Sequence, residues 1–128
     1  MVPYTPVMTA KILVIEDSPE VRMSFVNAFE DEGYEVYSAS DGRSGLDQFV
    51  KHAPDLVLTD LRMPDIDGMT VLSQIRKSSN VPVIVVTAIA DAQTKEACLT
   101  AGADDYIVKG SGVDDLVWRA QKQLDRAN

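Results

Sequence analysis

The sequence predicts an α/β fold: an open, doubly wound sheet of five parallel strands with five helices. Three observations lead there. Short apolar runs alternate five times with longer segments of helical periodicity. Three of those runs, KILVI, DLVLT and VIVV, are apolar on both faces, as parallel strands covered by helices on both sides must be. Helix start and stop residues punctuate the alternation, and right-handed crossovers then give an open sheet.

The elements follow in order. Lys11–Ile15 is the first strand. Ser18-Pro19-Glu20 starts a helix, with serine as N-cap, proline at the first helical position and an acid in the first turn. Val21, Phe25, Ala28 and Phe29 share one face, and Gly33 after Glu32 is a C′ glycine. Tyr34–Ser38 is the second strand and Gly42–Val50 the second helix. Pro54 precedes the third strand, Asp55–Thr59, and the third helix runs over Met69–Lys77 with Val71, Leu72 and Ile75 on one side. Pro82 precedes the fourth strand, Val83–Val86, and Asp91–Ala101 is the fourth helix, stopped by Gly102. Asp105–Val108 is the fifth strand. The last helix, Val113–Arg126, turns Val113, Leu116, Val117, Ala120 and Leu124 inward.

The 128 residues suit one domain over 11–128, preceded by a loose extension over 1–10. The opening MVPYTPVMTA lacks a signal peptide's apolar core, no run is long enough to cross a bilayer, and Cys98 is the only cysteine. Together these predict a cytoplasmic protein without membrane partners. A net charge of −8 disfavours direct nucleic-acid binding and suits a cation or a basic partner.

Ligands of doubly wound sheets bind beyond the carboxyl ends of the strands. The residues just past those ends are Glu16 and Asp17, then Asp60, Thr87 and Lys109. Each alone has a plain structural reading as a turn acid, a cap, a strand-end hydroxyl or a solvated lysine. Jointly they deliver three carboxylates, a hydroxyl and an ammonium to one edge. Two carboxylates about 4 Å apart repel by roughly 4 kcal/mol at an effective dielectric near 20. The cluster must keep a proton or hold a cation. An all-oxygen ligand set at an open edge favours Mg2+ or Mn2+ over zinc.

With ILVIEDS, LVLTDLRMPDIDG, PVIVVTA and AGADDYIVK in this order and spacing, the chain from Lys11 onward resembles the receiver domain of two-component response regulators. The resemblance implies a flavodoxin-like sheet of strand order 2-1-3-4-5. It implies that Asp60 accepts a phosphoryl group from a sensor histidine kinase or a phosphotransfer protein, a switch rather than an enzyme in its own right. Glu16, Asp17 and Asp60, with the main-chain carbonyl of Arg62, would hold Mg2+. Thr87, the N–H of Ala88 and Lys109 would bind the phosphoryl oxygens, and Tyr106 would turn inward as Thr87 moves. Arg62 and Ile89 occupy positions that tune water access, and their length predicts slow self-dephosphorylation. The face of the fourth helix, fifth strand and fifth helix, carrying Lys95, Glu96, Asp104, Asp105, Arg119 and Lys122, would report the change to a second copy or an output domain.

One residue departs from the family pattern. Gly110 stands where proline usually follows the lysine, often after a cis bond. A cis bond before a non-proline residue costs about 2.5–4 kcal/mol, so a trans Lys109–Gly110 bond is predicted. Other readings fit less well. Asp65-Ile66-Asp67-Gly68 fails as a calcium loop because the register puts Met63 first and Gln74 twelfth. No phosphate-loop or dinucleotide motif is present, and Gly110-Ser111-Gly112 has its lysine on the wrong side. A flavin-binding flavodoxin would meet repulsion from Glu16 and Asp17. An aspartyl-phosphate hydrolase would carry D-x-D after the first strand. Cys98 reads as core, His52 as solvated, and Trp118 as an exposed residue off the apolar stripe.

Overall fold

The computed structural model describes residues 9–127. Five strands, β1 (Lys11–Ile15), β2 (Glu35–Ala39), β3 (Leu56–Thr59), β4 (Val83–Thr87) and β5 (Asp105–Val108), alternate with five helices. These are α1 (Pro19–Asp31), α2 (Gly42–His52), α3 (Gly68–Arg76), α4 (Ala92–Thr100) and α5 (Val113–Ala127). The sheet is parallel throughout, in the order β2-β1-β3-β4-β5. Ten elements thus stand where the sequence predicts them, with ends shifted by one or two residues.

Local chemistry explains the boundaries. The Ser18 hydroxyl accepts from the N–H of Val21, Asp41 from Ser44, Asp67 from Thr70 and Asp91 from Thr94, so four helices begin on side-chain caps. Gly33 follows the C-cap of α1 with φ +92°, which a Cβ would resist. Ala53 ends α2 in the left-handed region at φ 47°, a C-cap the sequence does not announce.

Alternation along the buried strands feeds two cores. Leu13, Ile15, Val57, Val83 and Val85 pack with Val71, Leu72, Ile75 and Cys98 on the side of α3 and α4. Ile12, Val14, Leu58, Ile84 and Ile107 pack with Phe29, Leu116, Val117, Ala120 and Leu124 of α1 and α5 on the other. Burying a side chain of this kind contributes about 1.5–3 kcal/mol, so these two layers are the main source of stability. Gly45 lets α2 lie on β1, since a Cβ there would fall 3.0 Å or less from three side-chain atoms of Ile15.

Two expectations need amendment. Val113 is exposed at the first position of α5, where the sequence predicts an inward-facing residue. His52 is half-buried and stacks on Tyr37, with ring centroids 3.7 Å apart, instead of being solvated. Asp104, which is exposed, and Asp105, which is half-buried, both have partners within the chain. Asp104 pairs with Arg76 at 2.9 Å and accepts from the N–H of Val83, while Asp105 pairs with Arg119 at 3.1 Å. The expected loose extension lies, for residues 1–8, outside the described residues. At its end the Ala10 carbonyl accepts from the N–H of Glu35, joining the β1–β2 ladder.

Candidate functional site

The strand order reverses direction at β1, which pairs with both β2 and β3. Crossovers leave on opposite faces there, so the carboxyl ends of β1 and β3 border an uncovered crevice. The residues past those ends are held by continuation of the ladders. The N–H of Glu16 donates to Ala39 O, that of Asp60 to Ile15 O and that of Lys109 to Thr87 O, at 3.0, 3.1 and 2.8 Å.

Their side chains converge. One carboxylate oxygen from each of Glu16, Asp17 and Asp60 lies within 4.8 Å of the others. Glu16 is 2% exposed and Asp60 7%, while Asp17 is exposed at the mouth. The half-buried ammonium of Lys109 reaches between them, 2.7 Å from Asp60 Oδ2 and 2.5 Å from Glu16 Oε1. The other oxygen of Asp60 accepts from the N–H of Leu61 at 2.6 Å. Glu16 Oε2 accepts from Ser18 N–H, but Oε1 makes no hydrogen bond: the ammonium is close yet off the bonding direction. A buried carboxylate oxygen with spare acceptor capacity, facing two other carboxylates, suits a hard cation.

The electrostatics follow from burial and crowding. Burial pushes the Glu16 carboxyl up, the adjacent Lys109 ammonium and the Ser18 N–H pull it down, and Asp17 and Asp60 push it up again, leaving it raised. Burial works to lower Lys109, but the hydrogen bond to Asp60 and the negative charge of Asp60 and Glu16 outweigh it, so the ammonium is held above its ordinary range. Lys109 therefore stays charged across the physiological range.

Thr87 is buried at the end of β4, and its hydroxyl oxygen accepts from the N–H of Ile89 at 3.3 Å. Tyr106 is buried too, and its hydroxyl donates to the carbonyl of Ile89 at 2.6 Å. Both side chains thus converge on one residue in the loop before α4. The ring of Tyr106 lies inward in this state. Ala88 and Arg62 are exposed, and Ile89 packs partly on the core. No cis peptide bond occurs among the described residues, so Lys109–Gly110 is trans as predicted; Gly110 has φ +104°, which absorbs the changed path.

The chain matches the response regulator receiver domain model over residues 12–121. It belongs to the response regulator receiver family. Similar proteins include the probable transcriptional regulator ycf27 of Porphyridium aerugineum, 41% identical over 92% of this chain and 49% of its own length. The response regulator ArlR of Staphylococcus saprophyticus is 38% identical over 91% of this chain and 53% of its own. The receiver domain thus spans about half the length of these curated relatives. Among solved structures, a receiver domain of a Francisella response regulator superposes with a TM-score of 0.89 at 30% identity, covering 94% of this chain and all of that one. A CheY-like receiver domain from Methanospirillum hungatei gives 0.88 at 30% identity, covering 94% of this chain and 97% of its own. This receiver domain is accordingly a module of two-component signalling, and neither the flavin protein nor the hydrolase reading is favoured.

Three residues around the receiver's site were not singled out by sequence. Arg22 donates to the carbonyls of Glu16 at 2.9 Å and Asp17 at 3.4 Å, steadying the acidic turn. Gly68 abuts the Asp60–Leu61 peptide, where a Cβ would fall 2.9 Å from Leu61 Cα and nearer still to Asp60 O. Asp65 caps a different helix, α2, through the N–H groups of Gly42 and Arg43. The Asp-Gly pair at 67–68 is a visible signal for a helix start, but nothing local shows what Gly68 leans on.

Proposed function

We propose that Asp60 is the phosphoacceptor of this receiver domain, with Mg2+ (or Mn2+) held by Glu16, Asp17, Asp60 and the carbonyl of Arg62. The observation that carries this reading is the ammonium of Lys109 against both Asp60 and Glu16. A lysine there can stay with Asp60 when the carboxylate becomes an acyl phosphate, exchanging carboxylate for phosphoryl oxygen. The bound cation supplies neutralisation of charge on the transferred group.

Asp60 acts as nucleophile: Oδ2, as Lys109 passes from it to a phosphoryl oxygen, forms the bond to phosphorus while the bond from phosphorus to the donor's imidazole nitrogen breaks. The Leu61 N–H holds the other oxygen and so fixes the direction of attack. Lys109, the Thr87 hydroxyl and the Ala88 N–H donate to the phosphoryl oxygens. As Thr87 swings toward the phosphoryl group it leaves the N–H of Ile89. Tyr106 is tied to that residue's carbonyl, so the move reaches the loop before α4 and the face of α4, β5 and α5. On that face Lys95, Glu96 and Lys122 remain exposed and offer charge to a second copy or an output domain.

The phosphodonor is a histidine kinase or phosphotransfer protein, and the setting is the cytoplasm. Arg62 and Ile89 slow hydrolysis of the acyl phosphate; a half-life unchanged in Arg62→Ala and Ile89→Ala would dispose of that part. The main test is incubation with acetyl phosphate and Mg2+ followed by intact mass. One phosphoryl adduct is expected, absent in Asp60→Ala. No adduct in the wild type, with tight flavin binding instead, would overturn the reading.

A further inference from the structure

We propose that Asp65 is a positioning residue for the metal-holding loop, fixing residues 61–67 to the N-terminus of α2. This rests on the reading of Glu16, Asp17, Asp60 and Arg62 as the cation site. The loop is pinned at two places. At its base the N–H of Gly68 donates to Leu61 O at 2.8 Å, and Gly68 lies against the Asp60 peptide. At its tip the Asp65 carboxylate takes the N–H of Gly42 at 2.9 Å with Oδ1 and that of Arg43 at 2.8 Å with Oδ2.

The tip contact is built for close approach. A Cβ on Gly42 would fall 2.9 Å from the carbonyl of Ile66 and nearer to its side chain, so glycine alone lets the helix end meet the loop. The division of labour at α2 is also unusual. Its own N-cap, Asp41, serves the N–H of Ser44, and leaves those of Gly42 and Arg43 to Asp65, 22 or more residues away. These first-turn donors have no intrahelical acceptor, so a bidentate carboxylate there combines two charge-assisted hydrogen bonds with the helix dipole.

Arg62 lies between the two anchors, so the placement of its carbonyl depends on both. Loss of the tip anchor leaves the three carboxylates untouched and frees the one ligand that lies between the two loop anchors. Outer partners of metal ligands change affinity by about 10–100-fold when removed. Asp65 acts along the backbone, so the low end applies, on the order of tenfold.

The test is titration of the full chain with MgCl2, followed calorimetrically or by amide chemical shifts, without any phosphodonor. Asp65→Ala is expected to raise the Mg2+ dissociation constant about tenfold. Asp65→Asn, which retains one acceptor oxygen and spares the fold, should give a smaller rise. Asp41→Ala removes a cap from the same helix without touching the loop and should keep the wild-type constant. A wild-type constant in Asp65→Ala overturns the proposal, as does equal weakening in Asp41→Ala, which would reflect only a frayed helix. Failure of the underlying site reading has a different signature: no Mg2+ binding by the wild type, and no change on Asp17→Asn.

Discussion

Gly68→Ala separates the glycine required by packing from those required by backbone conformation. Gly68 opens α3, and the substitution places a methyl group against the backbone of Asp60 and Leu61, 3.0 Å from Asp60 C and 2.9 Å from Leu61 Cα. Carbon ordinarily keeps about 3.3 Å from a carbonyl oxygen, so the helix start or the Asp60 peptide must shift by roughly 1 Å. Neither can rotate aside, since the neighbours are main chain and Asp60 is tied to Ile15 of β1. Overpacking of this kind costs about 1–3 kcal/mol, and the upper half applies against backbone. Alanine's helical advantage over glycine, at most about 1 kcal/mol, offsets part of it. A net loss of about 2 kcal/mol is expected, or roughly 6–10 °C in Tm for a domain of this size. A 1 Å displacement of the nucleophile also lowers phosphorylation on the order of a hundredfold. Urea denaturation and the acetyl phosphate mass assay measure the two effects. The control is Gly33→Ala, with open space around it but φ +92°, which should cost about 1–2 kcal/mol and leave phosphorylation intact. Wild-type stability together with a normal adduct in Gly68→Ala would refute the reasoning.

Lys109→Met leaves Glu16 and Asp60 buried without their cation. Breaking a buried pair costs about 3–5 kcal/mol, reduced here to roughly 2 because Lys109 is partly exposed and Glu16, already raised by burial, can take a proton. Urea titration should show Glu16→Gln in that background recovering stability, and a double mutant less stable than Lys109→Met would count against the pairing. Arg76 donates to the carbonyls of Gly102, Ser79 and Val81 and to Asp104, joining α3 to the starts of β4 and β5. Arg76→Ala orphans those acceptors and should destabilise by about 2–4 kcal/mol in calorimetry, with phosphorylation retained, since the cluster lies at the opposite end of the sheet. Desolvation nudges the Asp65 carboxyl up, but the N–H groups of Arg43, Ile66 and Gly42 hold it down to about 2, below its ordinary 3.8. A folded pKa below the unfolded one contributes stability fully above the unfolded value, lost as pH falls toward about 2. The stability gap between wild type and Asp65→Ala should therefore be constant above pH 5 and shrink below pH 4; a gap that widens in acid would contradict it.

Much was legible without coordinates because the deciding signals are local or periodic. Apolar runs such as KILVI and VIVV, the Ser18-Pro19 start and Gly33 specify elements through nearest-neighbour chemistry. Once the strands are placed, their C-terminal ends point Glu16, Asp17, Asp60, Thr87 and Lys109 to one edge by topology alone. Relations across the chain were not legible. His52 finds Tyr37, Asp104 finds Arg76, Gly68 finds the Asp60 peptide and Asp65 finds α2 only when crossovers bring distant segments together. The residue type announces a capacity in each case, a ring, a carboxylate or a missing Cβ. Which partner uses it depends on distances of a few ångströms set by packing. The sequence by itself determined the elements, the two apolar layers and the set of charged groups at the site. Only the tertiary structure decided which oxygen of Glu16 is left without a hydrogen bond, that Thr87 and Tyr106 meet on Ile89, and that the loop after Asp60 is anchored to α2. Hydrogen bonds and contacts between segments far apart in sequence carry no periodic trace in either one.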